Sequence, residues 1–99
     1  SFTLPVAAQT ASQILVYLRC HTGNAATNGA DDIRVYTKEG AAIYDHYLLM
    51  FPYAGQAAVS YNSGSFWLPK TSDNKVYLAH SFAPGSTNSG CNFYITGYK

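Results

Sequence analysis

Apolar and polar side chains alternate along several short segments of this chain, and this period-two pattern constrains the fold more than any other feature. In the clearest segment, every second residue from Ile14 to Cys20 is apolar, while Tyr17 and Arg19 fall on the other face. No helical spacing competes with it, so the pattern predicts a β-strand. Similar segments follow, bounded by clusters of Gly, Asn, Pro and Ser, and we expect strands at 32–38, 42–51, 57–61, 65–68, 75–82 and 91–98.

Six or seven short strands with a turn every 8–12 residues, in 99 residues with few helix-forming residues, predict an all-β fold. We expect one domain spanning residues 1–99, a small antiparallel β-sandwich of jelly-roll-like type. The chain opens on Ser1 without Met or a leader pattern, so we expect either a processed mature form or a domain cut from a longer chain.

Two cysteines, Cys20 and Cys91, are too few for a disulfide scaffold and too far apart in sequence for a zinc motif. They form either one bridge or two buried thiols, and we favour the bridge. A bridge would set the end of the first long strand beside the start of the last, so that the loops at 21–32 and 83–90 share one pole and the termini the other. Because strand directions must alternate along the chain, one predicted segment cannot cross the sheet. We therefore expect that 57–61 is not a separate strand or that it merges with 65–68.

Face assignment leaves many aromatic side chains pointing outward. The outward set contains Trp67 and the tyrosines that we predict at a subunit interface: Tyr17, Tyr36, Tyr77, Tyr94 and Tyr98. Large exposed aromatic surfaces usually mark an interface or a ligand site. Ordinary cross-strand pairing within one chain and a ligand platform are the alternatives.

The surface chemistry is neutral. Six basic and five acidic residues give a net charge of +1, while Ser, Thr, Asn and Gln supply 26 residues. Nucleic acid and membrane insertion are therefore not expected. Tyrosine with small polar residues is typical of loops that recognise polar ligands, although β-sandwiches in general share this composition. We predict these ligand-binding residues: Asn24, Asn28, Asp31, Asp32, Tyr61, Asn62, Trp67, Thr87 and Asn88.

The ending Cys91-Asn-Phe-Tyr-Ile-Thr-Gly-Tyr98, preceded by Phe66-Trp-Leu-Pro69 and Val76-Tyr-Leu78, resembles the close of β-sandwich tip domains on trimeric fibres of phage tails and bacterial surface adhesins. This resemblance covers the last third of the chain. It implies that the domain is a trimeric knob at the C-terminal tip of a longer fibre protein, outside the cell or on a virion, that contacts a cell-surface glycan or protein. The resemblance carries over no binding residue.

Catalytic patterns are missing from the sequence. Asp45 and His46 are neighbours on a predicted strand and point to opposite faces, His80 falls on an inward face as a hydrogen-bonded core residue, and His21 begins a loop. Residues 28–32 hold oxygen donors for calcium without the spacing of an EF-hand, so a solvated turn is favoured. We expect a non-catalytic adhesive or lectin-like tip with no cofactor or metal. A purely structural trimerisation module and a small hydrolase are the alternatives.

Overall fold

The computed structural model describes residues 1–23, 31–50, 60–81 and 87–99, and they form two antiparallel sheets. Seven strands and one 3-10 turn, Val6–Ala8, make up the regular structure of these ranges. The strands are β1 (Phe2–Thr3), β2 (Gln13–Gly23), β3 (Asp31–Glu39), β4 (Ala42–Met50), β5 (Ser60–Pro69), β6 (Lys75–Ser81) and β7 (Thr87–Tyr98). The all-β prediction is confirmed. Strand β5 includes the segment predicted at 65–68 and the last two residues of the one predicted at 57–61, of which residues 57–59 lie outside the described ranges. Within these ranges, no helix has the length and apolar character needed to cross a bilayer.

The two sheets have the strand orders β1-β6-β3-β4 and β5-β2-β7, here called the four-stranded and three-stranded sheets. The β3–β6 pair is nested in sequence inside the β2–β7 pair. β2 is an interior strand of one sheet and β3 of the other. The apolar residues at every second position of these two strands lie on the face that each turns to the core. The core between the sheets contains Leu4, Ala8, Ile14, Val16, Leu18, Cys20, Ile33, Val35, Leu48, Leu68 and Val76.

The sandwich is closed along both sides by contacts between the sheets. On one side, the ring of His46 stacks on Phe66 with centroids 4.7 Å apart, and the Asn62 amide donates to the Leu49 carbonyl at 2.9 Å. On the other side, Phe2 and Phe93 meet edge to face at 5.5 Å. These contacts hold the two outer faces on opposite sides of one core.

The described turns lie at one pole, which we call the base. The β3–β4 turn uses Gly40 at φ 59°, and the turn before β6 uses Asn74 at φ 57°, both in the left-handed region that these residue types tolerate. Lys99 exchanges backbone hydrogen bonds with Ser12 and Gln13, so the start of β2 and the end of β7 meet there. The connections β2–β3, β4–β5 and β6–β7 leave from the other pole, as the sequence predicts for the first and last of them.

A β-bulge in β7 corrects one predicted face. Ile95 lies opposite Val16, but Gly97 lies opposite Leu15, so Thr96 is an extra residue on this strand. An extra residue reverses the alternation beyond it. Tyr98 therefore lies opposite Ile14, on the face that β2 turns to the core, so its predicted face is wrong, although its side chain at the end of β7 is 50% exposed.

Candidate binding site

The outer face of the three-stranded sheet combines exposed rings with small polar side chains. Its rows follow from the pairing register: Ser63, Arg19 and Asn92 in one row, Ser65, Tyr17 and Tyr94 in the next, and Trp67, Leu15 and Gly97 in a third. This face is the outward half of the period-two pattern in β2 and its two neighbours.

A shallow groove of about 330 Å³ lies on this face, along the junction of β2 and β5. It is lined by Tyr17, Arg19, Tyr61, Asn62 and Ser63. Tyr61 is the most exposed of these rings, at 67%, and leans against His21 with centroids 5.9 Å apart. The groove therefore offers ring faces, a hydroxyl group and a guanidinium to a ligand.

Two further aromatic contacts extend the face beyond the groove. Tyr17 and Tyr94 stack across the strands with centroids 6.2 Å apart. Trp67 is 41% exposed, and the Lys99 ammonium lies 4.4 Å from its ring centroid. The ring of Trp67 thus lies partly covered by a cation at the base end of the same face.

The outer face of the four-stranded sheet has the same residue types in a different arrangement. Tyr36 and Tyr77 stack with centroids 5.1 Å apart, with Arg34 placed 4.5 Å from the first centroid and Lys38 4.5 Å from the second. The Arg34 guanidinium also pairs with Asp45 at 3.6 Å between Nη1 and Oδ2. Rings and charges on this face are engaged with one another.

Carboxylates at the base support this second face. The Tyr77 hydroxyl donates to Asp73 at 2.7 Å, which raises the pKa of Tyr77. Desolvation acts to raise the pKa of Asp73, but the hydroxyls of Tyr77 and Thr71 and the Lys75 backbone N–H outweigh it, and the net pKa is lowered. Hydrogen bonds from the Ser72 backbone N–H and hydroxyl lower the pKa of Glu39.

The predicted ligand residues are only partly brought together. Tyr61, Asn62 and Trp67 all lie on β5, whereas Asp32 lies on the four-stranded sheet, where it lines a second groove of about 260 Å³. The Asn62 amide is engaged within the protein, donating to Leu49 and accepting from the Ser63 N–H. Asn24 and Asn28 lie outside the described residues. Asp31, Thr87 and Asn88 lie in described strands, with side chains outside the described set.

Three groove residues were missed by the sequence analysis: Tyr17, Arg19 and Ser63. The outward position of Tyr17 and Arg19 was visible in the alternation of β2. What was not visible is that β5 pairs beside β2 and places Tyr61 and Ser63 next to them.

The aromatic residues predicted at a subunit interface do not form one continuous surface. Tyr17 and Tyr94 pair on one outer face, and Tyr36 and Tyr77 pair on the opposite one. Both are cross-strand pairs within a single chain, the alternative considered above. Tyr98 belongs to neither face because of the bulge in β7.

The predicted disulfide is absent from the structure, although the predicted juxtaposition is present. Cys20 lies directly opposite Cys91 in the β2–β7 register, but the sulfurs are not at disulfide distance and both residues carry thiols. A hydrogen bond between the Cys20 and Cys91 side chains, together with burial, raises the pKa of Cys20. Facing positions on antiparallel strands have Cα atoms about 4.5–5.5 Å apart, a spacing that accepts either thiols or a bridge.

The histidines do not meet in a common site. His46 stacks inward on Phe66 while Asp45 pairs outward with Arg34, as the alternation predicts. His80 lies opposite Ile33 on the inward face but is exposed, so its predicted place in the core is wrong. No group of three metal-ligating side chains occurs within the described ranges. Most of the calcium candidate at 28–32 lies outside them.

A scan against models of known protein families gives no match for this chain. A search of curated proteins also finds no match.

Proposed function

We propose that this protein is a non-catalytic recognition module that binds glycans on the outer face of its three-stranded sheet. The observation that carries the proposal is the groove beside Tyr61, where an exposed ring borders side-chain hydroxyls and a guanidinium on the outer sheet face.

This combination suits a sugar for a physical reason. A pyranose ring has an apolar face of C–H groups and an edge of hydroxyls, so it pairs with an aromatic face on one side and with neutral hydrogen-bonding groups on the other. Each hydrogen bond replaces one to water and contributes only about 0.5–1.5 kcal/mol. Affinity per groove is therefore low.

Repetition of the site compensates for low affinity. We propose that the module acts as the tip of a trimeric fibre, outside the cell or on a virion surface, where three grooves engage one surface at once. Linked sites raise avidity through effective concentration without any new contact. Sedimentation of the protein tests this part, with a trimer as the expected result and a monomer as the result against it.

A glycan panel followed by titration tests the binding function. The expected result is that a monovalent oligosaccharide selected from the panel binds the wild-type chain and binds Tyr61→Ala about tenfold more weakly, equivalent to about 1.4 kcal/mol. A monovalent ligand keeps avidity out of the measurement.

Tyr47→Ala is the matched control. Tyr47 is 52% exposed on the edge strand β4, and it borders the second groove. Affinity should survive this change, and circular dichroism should show that both variants are folded. Loss of binding in Tyr47→Ala with retention in Tyr61→Ala would move the site to the four-stranded sheet. A folded chain that binds no glycan would rule out the proposed function.

One observation favours an assembly role as the second candidate. Ile43, Tyr47 and Leu49 lie on the same face of β4, with Asp45 between the first two, and each is about half exposed. A row of apolar side chains on an edge strand is a suitable contact for another subunit. Leu49→Asp would then dissociate the oligomer, while the affinity for a monovalent sugar would stay unchanged.

A further inference from the structure

The charges of the two sheets are distributed unequally. Strands β2, β5 and β7 contain no aspartate or glutamate, and Arg19 is their only lysine or arginine. Strands β3, β4 and β6 hold both signs, including Asp32, Arg34 and Asp45. The three strands of this sheet thus carry one arginine, no lysine and no acidic residue, while Lys99 follows β7 and lies over Trp67.

Most other cations of the chain are engaged. Arg34 pairs with Asp45, Lys38 lies over Tyr77, Lys99 lies over Trp67, and Lys70 donates to Asn74 at 3.1 Å. Lys75 lies near Asp73 and contributes to lowering its pKa.

Arg19 differs from these residues. Its side chain is exposed and lines the groove. Among the residues that the structure describes, the guanidinium of Arg19 forms no salt bridge.

The neighbours of Arg19 fit the rest of a sugar ring. Tyr17 precedes it by two positions on the same face of β2, and Ser63 and Asn92 lie opposite it on the two adjacent strands. Tyr61 lies on β5, two positions from Ser63, and lines the same groove. A guanidinium is thus bordered by aromatic faces and by neutral hydrogen-bonding side chains.

We propose that the groove selects a sugar that carries a carboxylate, such as a uronic or sialic acid, and that Arg19 is the residue that selects it. This inference rests on the proposed glycan-binding function. The guanidinium presents a planar fork of N–H donors that matches the two oxygens of a carboxylate. The tyrosines take the face of the sugar ring, and Ser63 and Asn92 take its hydroxyls.

The test compares sugars that differ only in the carboxylate. One arm titrates a galacturonic acid trisaccharide against its carboxyl-reduced form, and a second arm titrates sialyllactose against its own carboxyl-reduced form. The wild-type chain should prefer the acidic member of at least one pair by about tenfold at low salt, and added salt should reduce the preference. The arm that shows it identifies the source of the carboxylate.

Variants assign the preference to Arg19. Arg19→Gln should bind both members of the pair equally, while Arg19→Lys should keep part of the preference because it retains the charge without the planar fork. Arg34→Gln removes an arginine from the opposite face and should leave the preference unchanged.

The outcomes separate this inference from the proposed function. If the neutral and acidic sugars bind equally, or if Arg19→Gln keeps the preference, the carboxylate selection is wrong while glycan binding stands. If no sugar in either arm or in a wider glycan panel binds the folded chain, both fail.

Discussion

The two outer faces of the sandwich carry the same residue types, but the side chains make different contacts on each face. On the four-stranded sheet, cations cover the stacked pair Tyr36 and Tyr77, and Asp45 pairs with Arg34. On the three-stranded sheet, Tyr17 and Tyr94 stack at the longer distance of 6.2 Å, and Arg19 lies exposed beside a groove. The rings of Tyr36 and Tyr77 are thus covered by cations of their own face, whereas Arg19 and Tyr61 on the other face are exposed.

The difference comes from where the acidic residues fall. Identical alternation in β2 and β3 places an arginine beside a tyrosine in both strands. Only the neighbours of β3 supply a carboxylate, through Asp45 on β4. An arginine on an ordinary sheet face therefore stays exposed when the neighbouring strands supply no carboxylate.

The largest effect is expected from oxidation, which would stiffen only the three-stranded sheet. Glutathione disulfide should react first with Cys91, which is the more exposed thiol, and Cys20 should then displace glutathione to close the bridge. Two glutathione molecules leave, and one disulfide is formed. Because the bridge closes a long loop, the free energy of unfolding should rise by at most about 4 kcal/mol.

Mass spectrometry and denaturation together measure this effect. The oxidised chain should lose the mass of two hydrogens and unfold at higher denaturant concentration. Cys20→Ser should stop at the mixed disulfide on Cys91, and Cys91→Ser should resist modification. A bridge that forms but lowers stability would show that the native spacing strains it.

The second prediction compares the two tyrosine pairs directly. Tyr36→Ala removes a stacked ring together with its contact to Arg34, and should lower the free energy of unfolding by about 2 kcal/mol. Tyr94→Ala removes the looser stack and should cost less than about 1 kcal/mol. Urea denaturation of both variants gives the difference.

Tyr36→Phe is the control because it keeps the ring, and its stability should lie within about 0.5 kcal/mol of wild type. Equal losses for Tyr36→Ala and Tyr94→Ala would mean that the engaged face is no more stabilising than the open one.

The third prediction concerns the Arg34–Asp45 pair. Both side chains are about one third exposed, so Asp45→Asn should lower stability by only about 0.2–1 kcal/mol, and the loss should shrink in high salt. Thermal unfolding at two salt concentrations measures it. A loss that is independent of salt would place the role of Asp45 in something other than charge pairing.

The smallest effect is expected from acid, and it should act on the four-stranded side. The folded-state pKa values of Glu39 and Asp73 lie below their ordinary values of 4.5 and 3.8. A lowered pKa contributes stability that is present above the ordinary value and is lost as pH falls through the folded one. Stability should therefore decline slightly below about pH 4.5.

Amide hydrogen exchange at low pH should show the loss first near the start of β6 and the end of β3. Glu39→Gln should remove part of the pH dependence. An acid response that begins in β2 or β5, whose strands hold no carboxylate, would contradict this assignment.

Much of the fold could be predicted from the sequence because alternation and turn residues are local signals. The juxtaposition of Cys20 and Cys91 was also predicted, but from an assumed bridge between them that the structure does not contain. The bulge at Thr96 could not be predicted, because the alternation of residue types continues through residues 91–98 and does not mark the extra residue. For the same reason the sequence assigned Tyr98 to the wrong face.

The groove was harder to predict than the fold because it depends on which strands become neighbours. Tyr61 was recognised as a ligand candidate from its residue type alone. Arg19 was seen to point outward, but its lack of an acidic neighbour depends on β5 and β7 flanking β2. Pairing between strands that are distant in sequence produces no periodic pattern of residue types along the chain.

The strand order also has a kinetic consequence. β2 needs β7 as a neighbour, yet the two strands lie near opposite ends of the chain, and β3 must likewise wait for β6. Closing such long loops costs entropy before any contact offsets it, so folding should be slow, on the order of milliseconds to seconds. During synthesis, one backbone edge of β2 stays unpaired until β7 has left the ribosome.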